Sequence, residues 1–252
     1  MMAMNGEQRP AIVVQDLRKS FGDQKVLNGI SFQVARGETV AVIGRSGGGK
    51  SVLLKLLVRL QTPDSGSIRI DDREMTTVDE KQLNAVRKKT GFLFQQAALY
   101  DSMTVEENVA FPLSRHSAMS ADERAKRVRE LLGEVGMDQD REKLPSQISG
   151  GMQKRVGLAR ALALGPEILL FDEPTAGLDP ITAGEIGGLI AELKKKRRMS
   201  GVVVTHDVRG ARAYADRMVL LHQGSIRAEG SFDELENSKD EVVSQFFNYG
   251  LR

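Results

Sequence analysis

Gly44-Arg45-Ser46-Gly47-Gly48-Gly49-Lys50-Ser51 is the stretch on which the reading of this chain turns. The residues before it, 39–43, are Thr-Val-Ala-Val-Ile, a continuous apolar run expected of a strand buried on both faces. Residues 52–60, which follow, read as a helix. A glycine-rich turn between such a strand and a helix is a cradle for phosphate. Glycines let backbone N–H groups converge on the phosphates, Lys50 reaches the β- and γ-phosphates, and the Ser51 hydroxyl ligates Mg²⁺. The helix N-terminus adds favourable partial positive charge. A merely flexible turn requires neither the Lys-Ser pair nor these flanks.

Working outward, short β-rich runs at 12–17 and 30–34 precede the loop, with Gly22, Gly29 and Gly37 between them. Residues 67–70 and 92–94 read as further strands. The middle of the chain then changes character. Thr104 with Glu107, and Ser120 with Glu123, form capping boxes that open helices. Ala125, Val128, Leu131, Leu132 and Val135 follow helical spacing. Residues from about 96 to 165 thus form a mostly helical insert. Alternation of strand and helix returns with buried strands at 168–171 and 202–204. The helix between them has Asp179 as N-cap and Pro180 at its first position. The class is α/β, with a mainly parallel sheet and ligands at the carboxyl ends of its strands. The tail, 231–252, reads as two short helices, and residues 1–252 are expected to form a single domain.

Composition narrows the function. The 252 residues carry 36 Lys plus Arg against 34 Asp plus Glu, a net charge of +2. So even a balance argues against a nucleic-acid partner, which demands a clustered basic surface. There are no cysteines, which excludes disulfides, thiolate metal sites and cysteine nucleophiles. The start, 1–10, is polar and unlike a secretory signal. No apolar run approaches the roughly 18 residues that span a bilayer; even 53–60 is broken by Lys55 and Arg59. The expectation is a cytosolic chain that meets a membrane only through a partner. The basic run 194–198 reads as a solvated helix end favoured by the dipole, with anionic lipid or nucleic acid as the alternative.

Two further stretches carry chemistry. Ile168-Leu169-Leu170-Phe171-Asp172-Glu173 is a buried strand ending in two carboxylates. Asp172 suits the Mg²⁺ shell, and Glu173 suits orientation and deprotonation of an attacking water. His206 follows the strand at 201–205, so it belongs to the same sheet edge and could donate a hydrogen bond to a γ-phosphate. His116 and His222 read as structural or surface residues. Ile148-Ser149-Gly150-Gly151-Met152 opens an amphipathic helix through Val156, Ala159 and Leu162. That is a second helix N-terminus suited to phosphate. One nucleotide cannot easily use two such ends of one chain, whereas a head-to-tail dimer could supply the second.

These elements, in this order, resemble an ATP-binding-cassette (ABC) ATPase over about residues 11–230. The resemblance implies a RecA-like core with a phosphate loop, a small antiparallel β-subdomain and a helical subdomain, and it implies ATP and Mg²⁺ as cofactors. Residues 44–51 resemble Walker A and 168–173 Walker B, so Gly44, Arg45, Ser46, Gly47, Gly48, Gly49, Lys50, Ser51 and Val52 would hold the nucleotide. Gln95 falls at the Q-loop glutamine, which contacts Mg²⁺ and the lytic water, so that the metal set becomes Ser51, Gln95 and Asp172. Phe21 falls where an aromatic stacks on adenine. Ala176-Gly177-Leu178-Asp179 resembles the D-loop, and His206 the switch histidine. Ser149, Gly150 and Gly151 resemble the signature that binds ATP held by the other subunit, except that Met152 stands where glutamine is usual.

A narrower resemblance joins that Ser-Gly-Gly-Met signature to the ATPases of Mla/Mce phospholipid transport. It is carried by Gly49-Lys50-Ser51-Val52-Leu53-Leu54-Lys55, Phe94-Gln95-Gln96-Ala97-Ala98-Leu99-Tyr100, Glu107-Asn108-Val109-Ala110-Phe111-Pro112-Leu113 and the tail Val243-Ser244-Gln245-Phe246-Phe247. It implies a homodimer on the cytoplasmic face of the inner membrane, driving an integral permease. An MCE lipid-binding protein, a STAS-domain protein and phospholipid cargo are implied with it. Lipoprotein release and amino-acid import are the alternative cargoes. A soluble ABC protein of translation or repair would carry two cassettes or a long coiled coil. A binding module that never hydrolyses ATP would not need Lys50, Asp172, Glu173 and His206 together.

Overall fold

The computed structural model describes residues 9–249. Most of the polar start and the last residues of the tail lie outside them. Strands β1 (Ile12–Phe21) and β2 (Gln24–Val34) form an antiparallel hairpin, and β3 (Thr39–Ile43) follows. The phosphate loop leads into α1 (Lys50–Leu57), then β4 (Ser65–Ile70), β5 (Arg73–Glu74), α2 (Glu80–Lys88) and β6 (Thr90–Leu93). Three helices come next: α3 (Val105–His116), α4 (Ala121–Glu134) and α5 (Gly150–Ala161). The remainder alternates: β7 (Ile168–Asp172), α6 (Pro180–Arg197), β8 (Ser200–Thr205), α7 (Val208–Tyr214), β9 (Arg217–His222) and β10 (Ser225–Gly230). Two short helices, α8 (Phe232–Glu236) and α9 (Glu241–Tyr249), are the last elements of the described residues.

Two sheets result. One is antiparallel, in the order β2-β1-β4-β5; the other runs β10-β9-β3-β8-β7-β6, parallel except at its β10 edge. Every residue of β3, β7 and β8 is buried, the signature of parallel strands covered on both faces. Alternation along the strand sorts their side chains. Val40, Val42, Leu170, Val202 and Val204 pack with α1 and the antiparallel sheet. Ala41, Ile43, Leu169, Phe171 and Val203 pack with the helical insert, α6 and α7.

Local signals set the boundaries. Both capping boxes form, with the Thr104 and Ser120 hydroxyls accepting from the Glu107 and Glu123 N–H groups. Asp179 caps α6 ahead of Pro180. Helix α1 starts two residues earlier than the apolar pattern predicts, inside the phosphate loop, and stops at Leu57. Arg59 then takes a left-handed φ of 53°, which ends the helix. Strand β6 sits two residues upstream of the predicted start. Helix α5 is not amphipathic: Gly151, Lys154, Val156, Gly157, Leu158 and Ala159 are all buried, because the helix is wedged between β6, α3, α4 and α6. Asn108 is also fully buried. Its amide donates to the carbonyls of Tyr100, Met103 and Thr104 and accepts from the Tyr100 N–H, stapling the loop before α3. Among the described residues, no helix is long and apolar enough to cross a membrane.

Candidate functional site

The phosphate loop leaves the carboxyl end of β3 and returns as α1. Gly49 has φ 94° and begins that helix; a Cβ there would also stand 2.9 Å from Val26 Cγ1, so glycine is required on both counts. Lys50 is buried, and its ammonium donates to the carbonyls of Gly44 at 2.8 Å and Arg45 at 3.2 Å. It also lies 3.6 Å from Glu173 Oε1. Ser51 Oγ donates to Asp172 Oδ1 at 2.8 Å, so hydroxyl and carboxylate, contributed by residues 51 and 172, already face one another.

Strand order does the rest. Because β8 lies between β3 and β7, the residues that follow β8 stand between the phosphate loop and the acidic pair. Thr205 Oγ1 donates to Glu173 Oε2 at 2.9 Å. The same oxygen is 3.3 Å from the His206 N–H and 3.0 Å from His206 Nδ1. Glu173 has φ 47°, a left-handed conformation rare for a residue with a side chain and a source of local strain. Asp172 is 8% exposed. Burial pushes its carboxyl above the usual range, the neighbouring Glu173 pushes the same way, and the Ser51 hydrogen bond partly opposes them.

A cavity of about 430 Å³ opens at this edge, lined by Phe21, Ser46, Gly47, Gly49, Lys50, Ser51, Val52, Gln95, Glu173 and His206, with Gln24 and Val26 beside them. Phe21 ends β1, is 45% exposed, and has the Lys19 ammonium 5.3 Å from its ring centre. Its exposed ring is free to stack. Gln95 follows β6 at the far side. The donors near the loop (the Ser51 hydroxyl, the Asp172 carboxylate and the Gln95 amide) are hard oxygen groups that suit Mg²⁺, an ion that keeps several waters and phosphate oxygens of its own.

The other singled-out residues stand elsewhere. Gly44 lies beneath the loop, where a Cβ would meet the Leu221 carbonyl at 2.7 Å, and Gly48 packs on the Arg45 carbonyl. Arg45 is exposed. Ser149, Gly150, Gly151 and Asp179 do not line this cavity. The Ser149 hydroxyl caps α5 by accepting from Met152 N–H at 3.3 Å. Asp179 accepts from the Thr182 hydroxyl at 2.6 Å and from the Thr182 and Ile181 N–H groups at 3.1 Å, and these bonds, the hydroxyl's first, hold its carboxyl below the usual range. Gly150 approaches Leu178 and Gly151 abuts Thr182, so the two helix starts form one patch apart from the cavity.

Sequence reading missed Thr205 and Lys154. Thr205 is an ordinary strand residue until β8 is placed beside β7. Lys154 left no signal, since the apolar spacing through Val156, Ala159 and Leu162 puts it on the opposite side of that helix, and its partners are main-chain oxygens far along the chain.

Known proteins resemble this chain in sequence and fold. The profile of the ABC transporter family matches residues 27–176. The methionine import ATP-binding protein MetN of Brucella abortus is 42% identical over 88% of this chain, and the match spans 60% of that relative's length. The probable ribonucleotide transport ATP-binding protein mkl of Mycobacterium leprae is 40% identical over 98% of this chain and 73% of its own. Among solved structures, the dimeric ATP-binding cassette MJ0796, in a post-hydrolysis state bound to ADP and Pi, aligns with a TM-score of 0.80 at 35% identity, covering 87% of this chain and 98% of that one. The cbiO1 protein of Clostridium perfringens, part of the cbiONQ ABC transporter complex, aligns at 0.83 with 29% identity over 96% and 98%. With the family profile matching more than half of its length, on the segment that carries the phosphate loop and the acidic strand end, the chain belongs to the ABC transporter family.

Proposed function

We propose that this chain is the ATP-hydrolysing subunit of an ABC transporter, working as a homodimer against a membrane permease. The observation that carries the reading is the convergence of three strand ends, which sets Glu173 within 3.6 Å of Lys50 and 3.0 Å of His206 on one cavity. Lys50 and the loop amides would hold the β- and γ-phosphates, and Phe21 the adenine. In hydrolysis, a water oxygen bonds to the γ-phosphorus as the bond to the bridging oxygen breaks, giving ADP and phosphate. Glu173 orients that water and takes its proton, and His206 and Gln95 complete its surroundings. Ser51, Asp172 and Gln95 would hold Mg²⁺, which supplies charge neutralisation at the phosphate oxygens. Ser149, Gly150, Gly151 and Asp179 would close on the nucleotide of the second copy.

The permease would dock beside residues 97–113, on the cytoplasmic face of the inner membrane. Phe92, Phe94, Ala98, Tyr100, Phe111 and Pro112 line a groove there, with the Tyr100 and Phe111 rings 4.7 Å apart. Leu113 is wholly buried and belongs to the core instead. A largely apolar groove with the Tyr100 ring exposed and three phenylalanine rings half-buried suits a partner helix. For cargo we favour phospholipid, supported by the Ser-Gly-Gly-Met signature and the stretches that accompany it, with MCE and STAS-domain proteins as further partners. The names of the similar proteins favour methionine or ribonucleotides instead. Mg²⁺-dependent ATP hydrolysis by the purified chain, abolished by Lys50→Ala, tests the first part. Co-purification of membrane partners and the outer-leaflet phospholipid content of a deletion strain test the second. An amino-acid permease as partner, with an unaltered envelope, overturns the lipid cargo and leaves the ATPase intact.

A further inference from the structure

Lys154 lies one turn into α5 and is 5% exposed. Its ammonium donates to the main-chain oxygen of Gln95 at 2.5 Å and to that of Glu173 at 3.1 Å. Burial lowers its pKa, while the charges of Asp172 and Glu173 act to raise it. A buried ammonium is costly unless its protons are bonded, and a helix wedged into a core would fill this position more cheaply with an apolar side chain. The two carbonyls it holds belong to the two residues whose side chains face the cavity from β6 and β7. At Glu173 the backbone is left-handed, and its N–H is already fixed on the Val204 carbonyl at 2.9 Å. Lys154 fixes the other side of that residue. The same helix grips the rest of the loop after β6: Arg160 donates to the carbonyls of Ala97 at 2.6 Å and Ala98 at 2.7 Å, where both alanines have positive φ.

We propose that Lys154 is a positioning residue for ATP hydrolysis, tying the backbones of Gln95 and Glu173 to the helix that begins at Ser149. The proposal rests on the reading of Glu173 as the base. Its consequence is mechanical: whatever nucleotide meets the N-terminus of α5 is linked, one helical turn later, to the aim of the carboxylate that orients the water attacking the other nucleotide. Both contacts are to main chain, so the lysine acts through the orientation of those two residues.

The test is Lys154→Met, which keeps length and bulk and removes the donors, measured beside wild type and Glu173→Gln. Misplacing a catalytic group by about an ångström costs on the order of 10²-fold. The expected result is a kcat lowered by about 10–100-fold with the KM for ATP changed less than about threefold, the pattern of a group felt only in the transition state. Because the chain has no cysteine, Lys154→Cys can be alkylated with 2-bromoethylamine while unfolded, then refolded, rebuilding a lysine-like ammonium at this position alone. Recovery of most of the lost kcat is expected. If Lys154→Met does not fold, the Cys variant before and after alkylation decides. Wild-type turnover in Lys154→Met with Glu173→Gln inactive overturns the role of Lys154 and leaves that of Glu173. A matching loss of ATP affinity, or no recovery on alkylation, makes the lysine structural and overturns the proposal. An active Glu173→Gln removes the base on which both readings rest.

Discussion

Replacing Glu173 by glutamine exchanges one oxygen for an amide nitrogen and removes one charge. In the native site Oε2 accepts from Thr205 Oγ1 at 2.9 Å and lies 3.0 Å from His206 Nδ1, and Oε1 lies 3.6 Å from the Lys50 ammonium. A carboxamide of the same shape keeps an acceptor for Thr205, and the buried Asp172 loses a like-charged neighbour, so the fold is expected to hold. The phosphate contacts of the loop do not involve Glu173, so ATP should still bind, within about threefold of the wild-type Kd. The proton of the attacking water loses its acceptor. General-base assistance contributes ~10²–10⁴-fold, or about 2.7–5.4 kcal/mol at about 1.36 kcal/mol per decade. Single-turnover phosphate release should slow by that factor, and gel filtration with ATP should show a persistent dimer. Turnover near wild type, or a loss of ATP binding as large as the loss of turnover, would refute the assignment.

Other outcomes follow from particular contacts. A Lys50→Ala chain keeps its α5 terminus and a Ser149→Arg chain keeps its phosphate loop, so the pair should form ATP-dependent heterodimers; absence of any ATP-induced dimer, with or without permease, counts against a shared site. On α4, burial pushes the Glu134 carboxyl up, but hydrogen bonds from Lys196 at 2.8 Å and Arg197 outweigh it and leave the carboxyl below its ordinary value. Glu134→Gln should therefore cost about 1 kcal/mol near neutral pH. A depressed carboxylate loses its contribution as pH falls through the folded value, so the gap in melting temperature should close well below the unfolded value of 4.5; a gap that persists there contradicts the ion-pair account. At Gly91, a Cβ would stand 2.5 Å from both the Ala161 carbonyl oxygen and Leu169 Cδ2. Gly91→Ala should cost about 1–3 kcal/mol, about 2–4 °C of melting temperature per kcal/mol, and thermal denaturation that matches wild type would show that α5 can move off β6.

The sequence by itself determined which segments are buried strands, where the capped helices begin, and that a Lys-Ser phosphate loop accompanies a strand ending in two acids. These are local properties. A run such as Thr39–Ile43 tolerates no water on either face, and a Thr104–Glu107 box closes within one turn, so neither needs distant partners to be recognised. What only the tertiary structure decided is adjacency. Nothing in residues 200–205 states that their strand pairs with both β3 and β7, yet that pairing alone brings Thr205 and His206 onto Glu173. Burial of α5 on every side, which the apolar spacing had presented as one face, depends on four neighbours contributed by distant segments. Lys154 is the sharpest case. Its partners are peptide carbonyls, present at every residue and therefore invisible to any pattern of side chains, and they are chosen only when the chain folds back.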